Sequence, residues 1–161
     1  IASLAATPGL LAHLVAEAGD DALDATTPGA WSARTLLAHF RDDEYLCMRV
    51  ALERILSENA PTLRFIEGAE WESGRRRSRD RKEWLLGDFA LQRQASLAIL
   101  RSLEPADWER TGETAANGSF TLAAFVAAWA GHDAEHIASL EAALGETVAD
   151  VKQRRAHVDA P

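Results

Sequence analysis

The chain has 161 residues, which suits one domain with a sizeable buried core. Its composition, 47% apolar and 26% charged, is that of an ordinary soluble globular protein. The net charge of −8 argues against a general nucleic-acid binder, because affinity for phosphate backbones rests on clustered Lys and Arg.

The dominant pattern is helical. No segment shows strand-like period-two alternation, and no repeat of solenoid length occurs. The first helix is predicted from about Pro8 to Ala18, with Thr7 as its cap, Pro8 in the first helical position and Gly19 as its stop. Leu10, Leu11, Leu14 and Val15 form its apolar stripe. The segment before it lacks the basic start of a signal peptide.

The second helix is predicted from the N-cap Ser32 to about Ser57, with Leu36, Leu37, Phe40, Cys47, Val50, Ala51 and Ile55 at helical spacing. Cys47 is the only cysteine, so no internal disulfide is possible; it is expected to be a core residue, and a reducing cytoplasm fits best. Residues 58–78 form the longest connection, which lets the third helix cross the bundle rather than return as a hairpin. The third helix is predicted over about Ser78–Leu103, with Leu85, Phe89, Leu97 and Leu100 inward. The cluster RRRSRDRKE at its entry could attract an anion, but a solvated loop is the simpler reading. Trp84, Trp108 and Trp129 are expected core anchors, Trp31 sits by the second helix's cap, and Trp71 is a candidate pocket wall.

The fourth helix follows the turn signal Asn117-Gly118, starts at Ser119 or Thr121 and ends before Gly145. Leu122, Phe125, Val126, Trp129, Ile137, Leu140 and Leu144 mark its buried side. Its apolar opening, TLAAFVAAWAG, is too short to span a bilayer, so no membrane partner is expected. Four such helices predict an all-α four-helix bundle over residues 1–145, with 146–161 as a polar tail.

Residues 129–141, WAGHDAEHIASLE, carry the clearest chemistry. His132 and His136 are four apart, so both imidazoles project from one helix face and can reach one divalent metal. Trp129 and Phe125 continue the same stripe, which points the pair inward, where unpartnered imidazoles are costly. The rival reading is a pair of hydrogen-bonded core histidines. His39 on the second helix is the candidate third ligand; His13 and His157 are weaker ones. Asp43, one turn after His39, either completes or orients this set or is a solvated charge in the run RDDE. HDAEH also fits the H-x-x-E-H pattern of one class of zinc peptidase, with Glu135 as base. Adjacent side chains diverge by about 100° on a helix, so Glu135 points away when His136 points in. That class is built on much larger α/β domains, so Glu135 is expected to be a bystander, or at most a group behind the ligands.

WSARTLLAHFRDDE around His39, FALQRQASLAILRSLEPADWERTG and NGSFTLAAFVAAWAGHDAEHIASL occur in an order that resembles the DinB-like family of four-helix-bundle metalloenzymes. The resemblance implies an up-up-down-down bundle, a homodimer, and zinc or nickel held by His39, His132 and His136. ETAANG departs from the family's commoner form, in which His-Pro precedes the Gly turn, near Ala115 and Ala116. Several family members resemble thiol transferases. The expected function is a metal-dependent enzyme that activates water or a low-molecular-weight thiol against a small-molecule substrate, with Asp43 as auxiliary. The alternatives are a non-catalytic stress or binding protein with a structural or vestigial metal, and a bundle whose histidines only hydrogen-bond.

Overall fold

The computed structural model describes residues 1–75, 77 and 80–158, the side chains of 146–158 excepted. Arg76, Ser78 and Arg79 of the basic cluster, the side chain of His157 and residues 159–161 of the tail lie outside the described residues.

The fold is a four-helix bundle. Its first helix is α1 (Ala2–Leu14), followed by the short α2 (Asp20–Asp24). The second helix is α3 (Ala33–Asp43), a π turn (Glu44–Met48) and α4 (Arg49–Ser57) in continuous succession. The long connection contains α5 (Gly68–Gly74) and leads to the third helix, α6 (Lys82–Arg101). A 3-10 turn (Pro105–Glu109) and a hairpin of β1 (Thr111–Thr114) and β2 (Gly118–Thr121) precede the fourth helix, α7 (Leu122–Val158). Among the described residues, no helix is long and apolar enough to cross a membrane.

The core has two apolar groups. Leu4, Met48, Leu52, Leu97, Phe125 and Trp129 belong to one. Leu11, Leu37, Phe40, Leu85, Phe89 and Leu140 belong to the other. Reading each helix through these groups gives its direction. α1 and α7 run from the first group to the second, and α3–α4 and α6 run back. The order is therefore up-down-down-up, which corrects the expected up-up-down-down. The connections at 15–32 and 102–121 reverse the chain, whereas 58–81 spans the bundle length and keeps the second and third helices parallel. The long connection thus does cross the bundle, as its length implied.

Between the apolar groups, buried polar residues from all four helices meet. They include Thr7, Glu44, Arg93 and Asp133, all nearly solvent-free. Arg93 on α6 reaches the other three helices at once. It donates to Asp133 Oδ2 at 2.6 Å, to Glu44 Oε2 at 3.0 Å and to the Leu4 carbonyl at 2.9 Å. Its guanidinium lies over the Phe89 and Trp129 rings. Thr7 donates to Asp133 at 2.7 Å. Burial pushes the Glu44 carboxyl up, with Arg93 opposing.

This network explains a departure in α1. The helix begins at Ala2, so Pro8 lies inside it and Thr7 is no cap. Proline has no N–H for the carbonyl four residues earlier. That carbonyl belongs to Leu4, and Arg93 bonds it instead.

The second helix starts at the expected cap, with Ser32 Oγ accepting from the Thr35 N–H. The π turn then inserts about one extra residue and rotates the rest of the helix by about 100°. Leu52 becomes buried, while Val50, expected inward, is 45% exposed. α6 starts later than predicted, and Trp84 is 50% exposed against Arg81 rather than a core anchor. Leu10 is also exposed.

Two described residues of the basic cluster are tied into the protein. Arg75 pairs with Asp80 and Glu72, and Lys82 donates to the Ala18 carbonyl beyond the end of α1.

The β hairpin is too short for alternation to reveal it. Its strands pair Thr114 with Gly118, so only three residues make the turn, and Gly118 adopts φ +67°. Thr121 Oγ1 then caps α7 by accepting the Ala124 N–H. α7 does not stop before Gly145 but continues to Val158.

Arg93→Met removes the cation that the buried Glu44 and Asp133 share. It is expected to cost about 3–5 kcal/mol, measured by urea denaturation. A loss below about 1 kcal/mol, the range of an exposed pair, contradicts a central role for this residue.

Candidate functional site

His39 comes from α3, one turn before its end, and His132 and His136 come from successive turns of α7. α3 and α7 are antiparallel neighbours, so ninety-three residues of sequence separation close to a single contact. His39 Nε2 and His132 Nε2 are 3.2 Å apart. One nitrogen from each of the three rings lies within 4.8 Å of the others. A tetrahedral metal with bonds of about 2.0–2.1 Å sets neighbouring nitrogens about 3.4 Å apart, close to the observed separation. Among the described residues, the buried His39 Nδ1 and His132 Nδ1 have no hydrogen-bond partner. Three imidazoles whose nitrogens converge within 4.8 Å are a donor set that a divalent metal fits.

The electrostatics agree with that fit. Burial, then the neighbouring histidines, push His39 down to about 3. Burial, then His136, pushes His132 down to about 4, and burial lowers His136 as well. All three therefore stay neutral at physiological pH, the form that ligates a metal.

Aromatic rings wall the cluster. Trp71 on α5 meets His39 at 5.1 Å between ring centroids, and its indole N–H donates to Asp42. It is a pocket wall, as expected, and through it the long connection lies against the site. Trp31 lies 5.0 Å from His39 and parallel to the His136 ring. Its position beside the Ser32 cap gave no sign of this role.

Asp43 lies beside the cluster, with Oδ2 3.6 Å from His132 Nε2. Burial lifts its carboxyl to about 6. Burial, then Asp43, lifts the nearby Cys47 thiol to about 12, so it is a core thiol and not a thiolate. Glu135 is exposed on the outer side of α7, which fits a bystander. His13 is exposed on α1 and does not join the cluster.

Sequence reasoning missed the support beneath the histidines. Asp133, inside HDAEH, turns away from the rings and is held by Arg93 and Thr7. Glu44, next to Asp43, is held by the same arginine. The ion network thus fixes the chain neighbours of two site residues.

Residues 3–140 match the family model described as the DinB superfamily. A protein of Oceanobacillus iheyensis, named as a candidate metal-dependent hydrolase, is 25% identical over 145 residues, 83% of this chain and 77% of that protein. Among solved structures, YfiT from Bacillus subtilis superposes with a TM-score of 0.79 over 88% of this chain and 82% of its own, at 21% identity. It is described as a probable metal-dependent hydrolase with an unusual four-helix bundle topology. The likeness to YfiT is one of fold.

In metal-free protein the depressed His39 has a consequence for stability. Its folded value, about 3, lies below the unfolded 6.5, so the unfolded chain binds more protons in that window. The contribution is complete above about 6.5 and is lost as pH falls toward 3. Wild type is expected to lose about 2 kcal/mol relative to His39→Gln between pH 7 and pH 5. Parallel pH profiles in urea unfolding contradict the burial of this ring.

Proposed function

The chain belongs to the DinB superfamily, and from that premise we propose that it is a metal-dependent hydrolase. In this reading His39, His132 and His136 hold a divalent metal, zinc or nickel. The observation that carries it is the convergence of three neutral imidazoles, one nitrogen of each within 4.8 Å of the others and the Nε2 atoms of His39 and His132 3.2 Å apart. A divalent metal bound there supplies Lewis-acid chemistry, polarising the substrate and making water acidic enough to attack near neutral pH. The names of the Oceanobacillus relative and of YfiT support hydrolysis, and so favour water over a thiol as the nucleophile.

The protein's own residues divide the remaining work. The three imidazoles orient the centre from two antiparallel helices. Asp43 Oδ2 accepts a proton from the attacking water and returns it to the leaving group. Trp31 and Trp71 shield the cluster from bulk solvent. His132 and His136 each line a surface cavity, so the cluster is reachable from outside. A closed four-ligand site would be structural, whereas three ligands beside cavities suit catalysis.

Metal analysis of protein purified without a histidine tag is expected to find one equivalent per chain. His39→Ala should weaken binding by more than the ~10–100-fold that loss of an outer-shell partner causes. Metal-free wild type, or undiminished metal in His39→Ala, removes this reading.

A panel of 4-nitrophenyl esters tests the reaction. Asp43→Asn is expected to lower kcat by about 10²–10⁴-fold while retaining the metal. Metal-independent ester turnover, or full activity in Asp43→Asn, contradicts the assigned roles.

A further inference from the structure

One side of the histidine cluster opens into a groove of about 410 Å³, within the range of small-molecule sites. Four separate segments build it: the π turn, the long connection, the hairpin and α7. Met48, Phe65, Phe120, Phe125 and Trp129 supply most of the lining. Phe125 stacks between Phe65 and Phe120, with centroids 6.1 and 6.3 Å away, and touches Trp129 at 5.8 Å. Ala124 and Ala128 are exposed along the α7 side, one turn apart, so small side chains keep that side open. His132 follows Ala128 by one further turn and also lines the groove.

The polar content is small. Thr114 and Asn117 of the hairpin line the groove, and the Thr114 hydroxyl accepts the Asn117 N–H. Among the described residues, none that lines the groove is Asp, Glu, Lys or Arg. A charged group entering here would lose water without gaining a counter-ion, which is costly. An aromatic ring would instead bury apolar area and meet ring edges and faces at stacking distance.

We propose that this groove binds the apolar, ring-bearing part of an uncharged substrate and delivers its reacting bond to the histidine cluster. The statement rests on the hydrolase reading only for the chemistry performed at that end. The groove selects; the cluster reacts. Ala128 is the specificity-determining position, because any larger side chain there occupies the path between the aromatic lining and His132.

Met48 is the only methionine of the sequence, so a 13C-methyl methionine label reports from inside the groove. Its resonance is identified as the one lost in Met48→Leu. Zinc-loaded protein is titrated with 1-naphthalenemethanol, a neutral aromatic, and with sorbitol, a neutral polyol. The expected result is a saturable shift of the Met48 methyl with the aromatic and none with sorbitol. Ala128→Trp, at an exposed position, is expected to weaken the aromatic by about tenfold or more while zinc content stays the same.

No shift up to the solubility limit of the aromatic overturns the proposal, and so does equal affinity in Ala128→Trp. Zinc content of the same samples separates the two readings. Aromatic binding in protein that takes up no zinc upholds the groove and overturns only the hydrolase. Stoichiometric zinc without aromatic binding does the reverse.

Discussion

Arg93 carries a charge into the interior of the bundle, where nothing but the protein can answer it. Each of the other three helices supplies an answer: a backbone carbonyl from α1, Glu44 from the second helix and Asp133 from α7. A buried cation with this many partners tolerates little sliding of one helix past another, because a shift of one turn would strand at least one charge. The apolar groups on either side drive association without fixing register as tightly. Leu and Phe accept several neighbours, whereas a guanidinium and a carboxylate accept few geometries.

The histidine cluster inherits that register. Asp133 is the residue after His132, and Glu44 is the residue after Asp43. Holding these two neighbours against one arginine sets the second helix and α7 at the height where His39 faces His132 and His136. The π turn contributes as well. It lies immediately after Asp43 and brings Glu44, Cys47 and Met48 inward together, so it serves the ion network, the cluster and the aromatic groove at once. π turns recur near functional sites for this reason: they redirect side chains without breaking the helix.

Much of the plan was legible because helical periodicity is strong here. The cap at Ser32, a start of the fourth helix at Ser119 or Thr121, the inward stripe of α6 and the identity of the converging histidines all follow from spacing and residue type. So does the rejection of Glu135, since neighbouring positions on a helix face different ways. What stayed hidden depended on contacts distant in sequence. Pro8 reads as a helix start, because local rules place it there, and only Arg93 makes it tolerable in mid-helix. Val50 and Leu52 exchange places because a π turn leaves no reliable mark in sequence. Trp84 reads as a core residue by type and lies on the outer side of α6. The strands are four residues each, too short for alternation to stand out. The helix directions were expected from the family resemblance; the core contacts of each helix reverse two of them.

The central claim is that three imidazoles from two helices share one metal. Anomalous scattering from crystals grown with zinc tests it most directly. The account predicts one strong peak within about 2.0–2.1 Å of a nitrogen from each of His39, His132 and His136. Absence of that peak, or zinc held elsewhere while the His39 and His132 rings remain in contact, would contradict it.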